Sequence, residues 1–190
     1  MNINQIKKRL DIRQYISSLK NPIICEVGVR MGGNFSNMLT ENVIEAIGVD
    51  SYTDEGDYAT NDLLYSQEVL DRQYEHVVKK YSSDKRVKII RDFSLSAAKK
   101  FNDNYFDFIY LDADHTYKGI SEDIKAWFPK VKDGGVLSGH DYIERKKDLG
   151  NVIIEYGVIK AVTEFRKEKK ITDESFHVSE ESFASFFIVK

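Results

Sequence analysis

Five short apolar runs rich in β-branched residues alternate with stretches of helical period, and this alternation constrains the fold more than any other feature of the chain. The runs are Ile23–Val27, Val43–Val49, Val87–Ile90, Tyr105–Leu111 and one that opens at Val136-Leu137 and ends near Asp141. Helical spacing covers 35–40, 63–81, 95–101, 117–128 and 158–167, and an amphipathic leading helix is expected over 3–19. Ser94 is the expected N-cap of the third of these helices, and Pro129 closes the fourth. A last strand pair is expected near 175–178 and 183–189. Strands that alternate with helices form a parallel sheet with helices on both faces, and right-handed crossovers make it doubly wound. Lys132-Asp-Gly-Gly135 reads as a tight turn. Residues 51–62 form a polar loop, and the charged stretch 143–156 reads as a mobile segment, either solvated or part of a lid.

In such sheets ligands bind beyond the carboxyl ends of the strands. The chemistry-bearing residues all fall there. Glu26 and Gly28 follow the first strand, Asp50 the second, and Asp92 the third. Asp112 and Asp114 follow the fourth, and His140 and Asp141 the fifth. The segment FDFIYLDADHTYKG (106–119) is the sharpest case, because a buried strand runs directly into two acids and an imidazole, His115. Charges at such a place are costly unless a metal, a ligand amine or a reacting proton pairs with them.

Composition narrows the partners. At 190 residues the chain suits one domain, and 42% hydrophobic with 31% charged residues fits a folded, soluble protein. A net charge of −3 gives no general attraction to nucleic acid or anionic membrane. No stretch approaches the roughly 20 apolar residues of a membrane span, and the N-terminus lacks a signal-peptide core. One cysteine, Cys25, excludes a disulfide framework and suits a reducing cytoplasm; as a residue it reads as a small buried hydrophobe. His76, His177, Trp127 and Phe128 read as packing or surface residues.

ICEVGVRMGGNFS is a strand, a glycine turn and a helix start. A dinucleotide fingerprint needs glycine where Arg30 stands, which weakens an NAD-dependent oxidoreductase. The pattern from Glu26 to Gly33, E-x-G-x-x-x-G-G, resembles the first motif of class I S-adenosylmethionine-dependent methyltransferases. LDADHTYKGISEDIKAWFPKVKDGGVLSGHDY, with GVIKAVTEF and the closing SFFIVK, resembles their family 24 type, related to macrocin-type and catechol-type O-methyltransferases. The resemblance implies a Rossmann-like, seven-stranded, mostly parallel sheet with an antiparallel last strand, ordered 3-2-1-4-5-7-6. It implies S-adenosylmethionine as cofactor, bound by Glu26, Gly28, Val29, Arg30, Gly32, Asn34, Phe35, Asp50, Ser51, Asp92, Phe93, Ser94, Asp112 and Asp114. In that scheme the turn faces the methionine part, Asp50 accepts the ribose hydroxyls, and Asp92 and Ser94 lie where relatives contact adenine.

In the metal-dependent relatives a divalent cation is held after strands four and five, which here implies Asp112 with His140 and Asp141. Magnesium or manganese is expected, although imidazole prefers softer ions than magnesium. His140 departs from the family's paired ligands and reads alternatively as the general base. His115 and Asp114 are the other base candidates, and Asp112, His115 and His140 the catalytic set. Asp114 also reads as a helix cap, and His115 as an orienting or packing residue. The acceptor is expected to be a small-molecule hydroxyl of a sugar, glycoside or phenol, with Tyr52, Tyr58 and Tyr65 near its pocket. Nucleic-acid methylation is disfavoured, because no Asn/Asp-Pro-Pro-aromatic motif or basic stripe is present. A non-catalytic cofactor-binding protein is the alternative from another class. Oligomeric state is left open, with a homodimer as one option.

Overall fold

Parallel strands buried on both faces need near-continuous apolar sequence, and the first five runs supply it. In the computed structural model, which describes residues 1–53, 66–148 and 153–190 (147, 148, 153 and 154 by backbone alone), they form β1 (Ile23–Val27), β2 (Glu45–Asp50), β3 (Val87–Arg91), β4 (Phe106–Leu111) and β5 (Val131–Gly139). All five are parallel. β8 (Phe176–Val178) and β9 (Phe186–Val189) complete the sheet, in the order β3-β2-β1-β4-β5-β9-β8. β9 runs antiparallel to both its neighbours. Taken in chain order within the sheet, this is the expected 3-2-1-4-5-7-6 arrangement.

The two-residue period of a strand divides the core. Cys25 and Val27 face one layer with Ile47, Val49, Ile109, Leu111 and Leu137. That layer is covered by α4 (Ser94–Ala98), α5 (Tyr117–Trp127) and α6 (Val158–Lys169), through Ala97, Ile120, Ile124, Trp127, Val162 and Phe165. Ile24, Ala46, Phe108, Tyr110 and Val136 face the other layer. It is covered by the N-terminal segment, α1 (Ile12–Ser17), α2 (Gly33–Met38) and α3 (Gln67–Tyr81). Cys25 and Trp127 are fully buried, as their packing roles require.

The structure departs from the sequence reading in several places, each with a local cause. The leading helix over 3–19 is not continuous. Two 3-10 turns, Ile3–Gln5 and Arg9–Asp11, precede α1. Asp11 Oδ2 accepts from the backbone N–H groups of Lys7 (3.0 Å) and Lys8 (2.9 Å), so a side chain competes with the helical ladder there. Ser94 is the first residue of α4 rather than its cap; Phe93 holds the cap position. The Gly134-Gly135 turn lies within β5, as a register shift against β4. Part of 143–156 is a hairpin of β6 (Lys146–Asp148) and β7 (Ile153–Glu155), not simply a loop. Most of the 51–62 loop, with Tyr58 and Tyr65, lies outside the described residues. Among the described residues no helix is long and apolar enough to cross a membrane.

Candidate functional site

The sheet fixes the site through the last rungs of its ladders. Gly28 N–H donates to Val49 O at 2.8 Å, Asp92 N–H to Asp50 O at 3.1 Å, Asp112 N–H to Val27 O at 2.7 Å, and His140 N–H to Leu111 O at 2.9 Å. Each loop residue named by the sequence is therefore pinned one step beyond its strand, along one edge of the sheet.

The glycine turn has three different glycines. Gly28 has φ +92°, and a Cβ there would lie 2.1 Å from the Asp112 carbonyl oxygen, so this glycine lets two strand ends cross closely. Gly32 has φ +71° and packs beneath the Tyr81 hydroxyl. A Cβ on Gly33 would meet nothing within 4 Å. Arg30, at φ +50°, turns its N–H onto Asp50 Oδ2 (2.8 Å), and Tyr52 N–H reaches Asp50 Oδ1 (3.0 Å). Burial raises the Asp50 carboxyl pKa against these two donors. Each oxygen keeps a further lone pair, enough to accept from vicinal hydroxyls.

Glu26 is almost wholly buried. Its Oε1 accepts from Asn34 Nδ2 at 2.8 Å, while Oε2 and Asn34 Oδ1 have no partner among the described residues. Burial drives its pKa well above the ordinary carboxylate value, despite the Asn34 bond. Two unsatisfied acceptors beside the glycine turn fit a ligand that brings N–H or O–H donors. Val29 and Phe35 send their side chains into the core, Phe35 edge-on to Tyr81. Tyr52 is also buried, donating its hydroxyl to Arg30 O at 2.9 Å, so its side chain builds the turn rather than an acceptor pocket.

The third corner is half committed to local structure. Asp92 accepts from Phe93 N–H (2.8 Å), Ser96 Oγ (3.1 Å) and Lys100 Nζ (2.6 Å). Ser94 Oγ donates to Asp123 and accepts from Trp127 Nε1 at 2.9 Å, which turns it inward. Phe93 is half exposed, the aromatic face available at this end of β3. Ser51 keeps its place directly after Asp50, its carbonyl accepting from Thr53 Oγ1 at 3.0 Å.

Asp112, His115, His140 and Asp141 converge beyond β4 and β5. His115 Nε2 lies 3.3 Å from Asp112 Oδ1 and 3.2 Å from Asp141 Oδ2. His140 Nδ1 lies 3.4 Å from Asp112 Oδ1 and 3.3 Å from Asp141 Oδ1. One ligand atom each from Asp112, His115 and His140 falls within a mutual 4.8 Å, a spacing that can surround a metal ion. Asp141 is buried with φ +54°, a conformation costly for a non-glycine residue. Among the described residues its Oδ1 makes no well-formed hydrogen bond, only the long contact with His140 Nδ1. Burial opposes charge on Asp112, but the two imidazoles outweigh it and hold its pKa near about 2. Burial likewise lowers His140, while Asp112 and Asp141 carry it up to about 9; the same balance raises His115.

Asp114 does not join this cluster. Its carboxylate accepts from Thr116 N–H (2.7 Å) and Thr116 Oγ1 (3.0 Å), and it fills the space a Cβ on Gly119 would need. Thr116, not Asp114, caps α5 by accepting from Gly119 N–H.

Sequence reasoning missed the rim. Arg9 Nη1 lies 3.4 Å from His140 Nε2 and 3.6 Å from Asp112 Oδ2. The His115 ring stacks on Tyr156 and the His140 ring on Phe183, while Arg145 lies over both aromatic rings. No local pattern marks these residues, because distant segments bring them together.

Fold and site together define a Rossmann-like α/β protein whose candidate site residues gather at the carboxyl edge of its sheet, where such folds bind ligands. The sequence matches the methyltransferase domain family, type 24, over residues 25–142, and the chain belongs to that family. It is an S-adenosylmethionine-dependent methyltransferase. Among solved structures it resembles the O-methyltransferase NovP, at 15% identity and TM-score 0.63, covering 97% of this chain and 80% of that one. It also resembles a Staphylococcus aureus protein assigned as a caffeoyl-CoA O-methyltransferase, at 17% identity and TM-score 0.58, covering 95% and 82%. A spermidine synthase from Thermotoga maritima matches at 17% identity and TM-score 0.52, covering 93% of this chain and 58% of the synthase. At these identities the likeness speaks for the fold. No curated protein sequence matches the chain.

Proposed function

We propose that the enzyme methylates a hydroxyl of a small molecule held at a divalent cation on Asp112, His140 and Asp141, with His115 as general base. The observation that carries this reading is the buried carboxylate of Asp141, whose Oδ1 has among the described residues only the 3.3 Å ion-pair contact with His140 Nδ1 and no well-formed hydrogen bond, although Asp112 and His115 lie beside it. A buried carboxylate oxygen in that position is costly unless a cation satisfies it. The mixed imidazole and carboxylate set suits manganese better than magnesium.

When bound, S-adenosylmethionine supplies an electrophilic methyl group and the divalent ion acidifies the acceptor hydroxyl. Glu26 and Asn34 would hold the methionine end of the donor through the unsatisfied Oε2 and Oδ1, and Asp50 would hold its ribose. His115 Nε2 receives the hydroxyl proton, which then lies between Asp112 Oδ1 and Asp141 Oδ2. Alignment and proton removal are the chain's share, since a sulfonium needs no further activation.

Calorimetry with Mn2+ and with S-adenosylhomocysteine tests the proposal. Asp141→Asn is expected to lose Mn2+ binding and keep S-adenosylhomocysteine binding. His115→Asn is expected to keep both and to lower kcat by about 100-fold or more. Methyl transfer that survives chelation, or an absence of Mn2+ binding by the unaltered protein, would overturn it.

A further inference from the structure

Arg9 is held at the site by its backbone. Its N–H donates to Glu181 Oε1 at 2.6 Å and its carbonyl accepts from Asn37 Nδ2 at 3.2 Å. The segment before it is fixed to the β8 region, with Ile6 O 2.7 Å from His177 Nε2 and Lys7 O accepting from Glu180 N–H at 2.8 Å. The guanidinium itself is poorly used. It has five N–H donors, and its contacts among the described residues are the long ones to His140 and Asp112, at 3.4 and 3.6 Å. Its side chain is 38% exposed, so the guanidinium is accessible beside the cluster.

The ring of Phe183, 44% exposed, lies stacked beside His140, and Arg145 lies 5.1 Å above it. The His140 side of the cluster thus has an aromatic ring and two guanidinium groups beside it.

We infer that Arg9 is a recognition residue for the acceptor, pairing with a carboxylate or phosphate carried by the hydroxyl compound. The inference rests on the O-methyl transfer proposed above and adds the class of its substrate: hydroxyl compounds that bear an anionic group. A planar guanidinium suits such oxyanions, which it can engage through two parallel N–H bonds.

Matched probes test it. Catechol is compared with 3,4-dihydroxybenzoate, and glucose with glucuronate and glucose 6-phosphate. Each is titrated into the protein loaded with Mn2+ and S-adenosylhomocysteine. At least one anionic member is expected to bind about tenfold or more tightly than its neutral counterpart. Arg9→Gln is expected to bring the two together, and Arg9→Lys to keep part of the difference. Equal behaviour of charged and neutral members in both sets, including no binding by either, overturns the inference, as does a preference that Arg9→Gln leaves intact. The carboxylate and phosphate arms separate the two anion types. Mn2+ and S-adenosylhomocysteine are titrated first without acceptor. Failure there counts against the metal-assisted reading, whereas success there without a charge preference counts against the role of Arg9 alone.

Discussion

Gly28 and Gly33 show how one residue type can meet different demands. A methyl group on Gly28 would collide with the Asp112 carbonyl and would also sit at φ +92°. Gly28→Ala is therefore expected to cost on the order of 3 kcal/mol in urea unfolding. Gly33→Ala, facing open space, is expected to stay within about 0.5 kcal/mol of the parent. Asp123 is the clearest pH-sensitive residue away from the site. It is 4% exposed, and burial, only partly offset by the Ser94 hydroxyl, pushes its pKa up to about 7. The folded state then holds a proton that the unfolded chain gives up near the ordinary aspartate value of 3.8. Stability is unpenalised below about pH 4, falls as pH rises towards 7, and levels off above it. Asp123→Asn keeps an acceptor for Ser94 and removes that loss. It is expected to raise stability at pH 8 by up to about 4 kcal/mol and to change little at pH 4, as read from unfolding curves at the two pH values.

The secondary-structure elements were legible where local composition decides them. β1 to β5 follow from apolar runs, and α3, α5 and α6 from helical spacing, because each answers to its own residues. Other features depend on partners distant in sequence. Ser94 has the chemistry of a cap, yet its hydroxyl is drawn to Asp123 on α5. Residues 3–19 have helical spacing, yet Asp11 diverts the backbone at Lys7 and Lys8. The acids of the candidate site were readable because they end strands. Arg9, Tyr156 and Phe183 were not, because only the folded chain brings them to the imidazoles. Between elements, Arg86 acts as a staple. It pairs with Asp84 through Nε (2.9 Å) and Nη2 (2.7 Å), and its Nη1 reaches the carbonyls of Thr40 (2.9 Å) and Val43 (3.0 Å). That joins the turn before β3 to the turn before β2. Arg86→Ala is expected to lower stability by roughly 1–2 kcal/mol, measured as a fall in the urea midpoint at unchanged slope.

Across the whole molecule, β1, β4 and β5 are paired on both sides and covered on both faces, whereas β3 and β8 are the sheet edges. Amide exchange is expected to be slowest in β1, β4 and β5, where it requires global unfolding, and faster in β8 and the N-terminal segment, through local opening. The sheet also joins early and late parts of the chain. β9 lies between β5 and β8, and the loop leading into it carries both Glu181, which holds Arg9, and Phe183. During synthesis the ribosome therefore releases the glycine turn and the acid pair long before the rim of Arg9 and Phe183 can close. A polypeptide terminated ahead of Phe186 would present the bare margin of β5 to its neighbours in the cell, which invites clumping rather than a half-working catalyst.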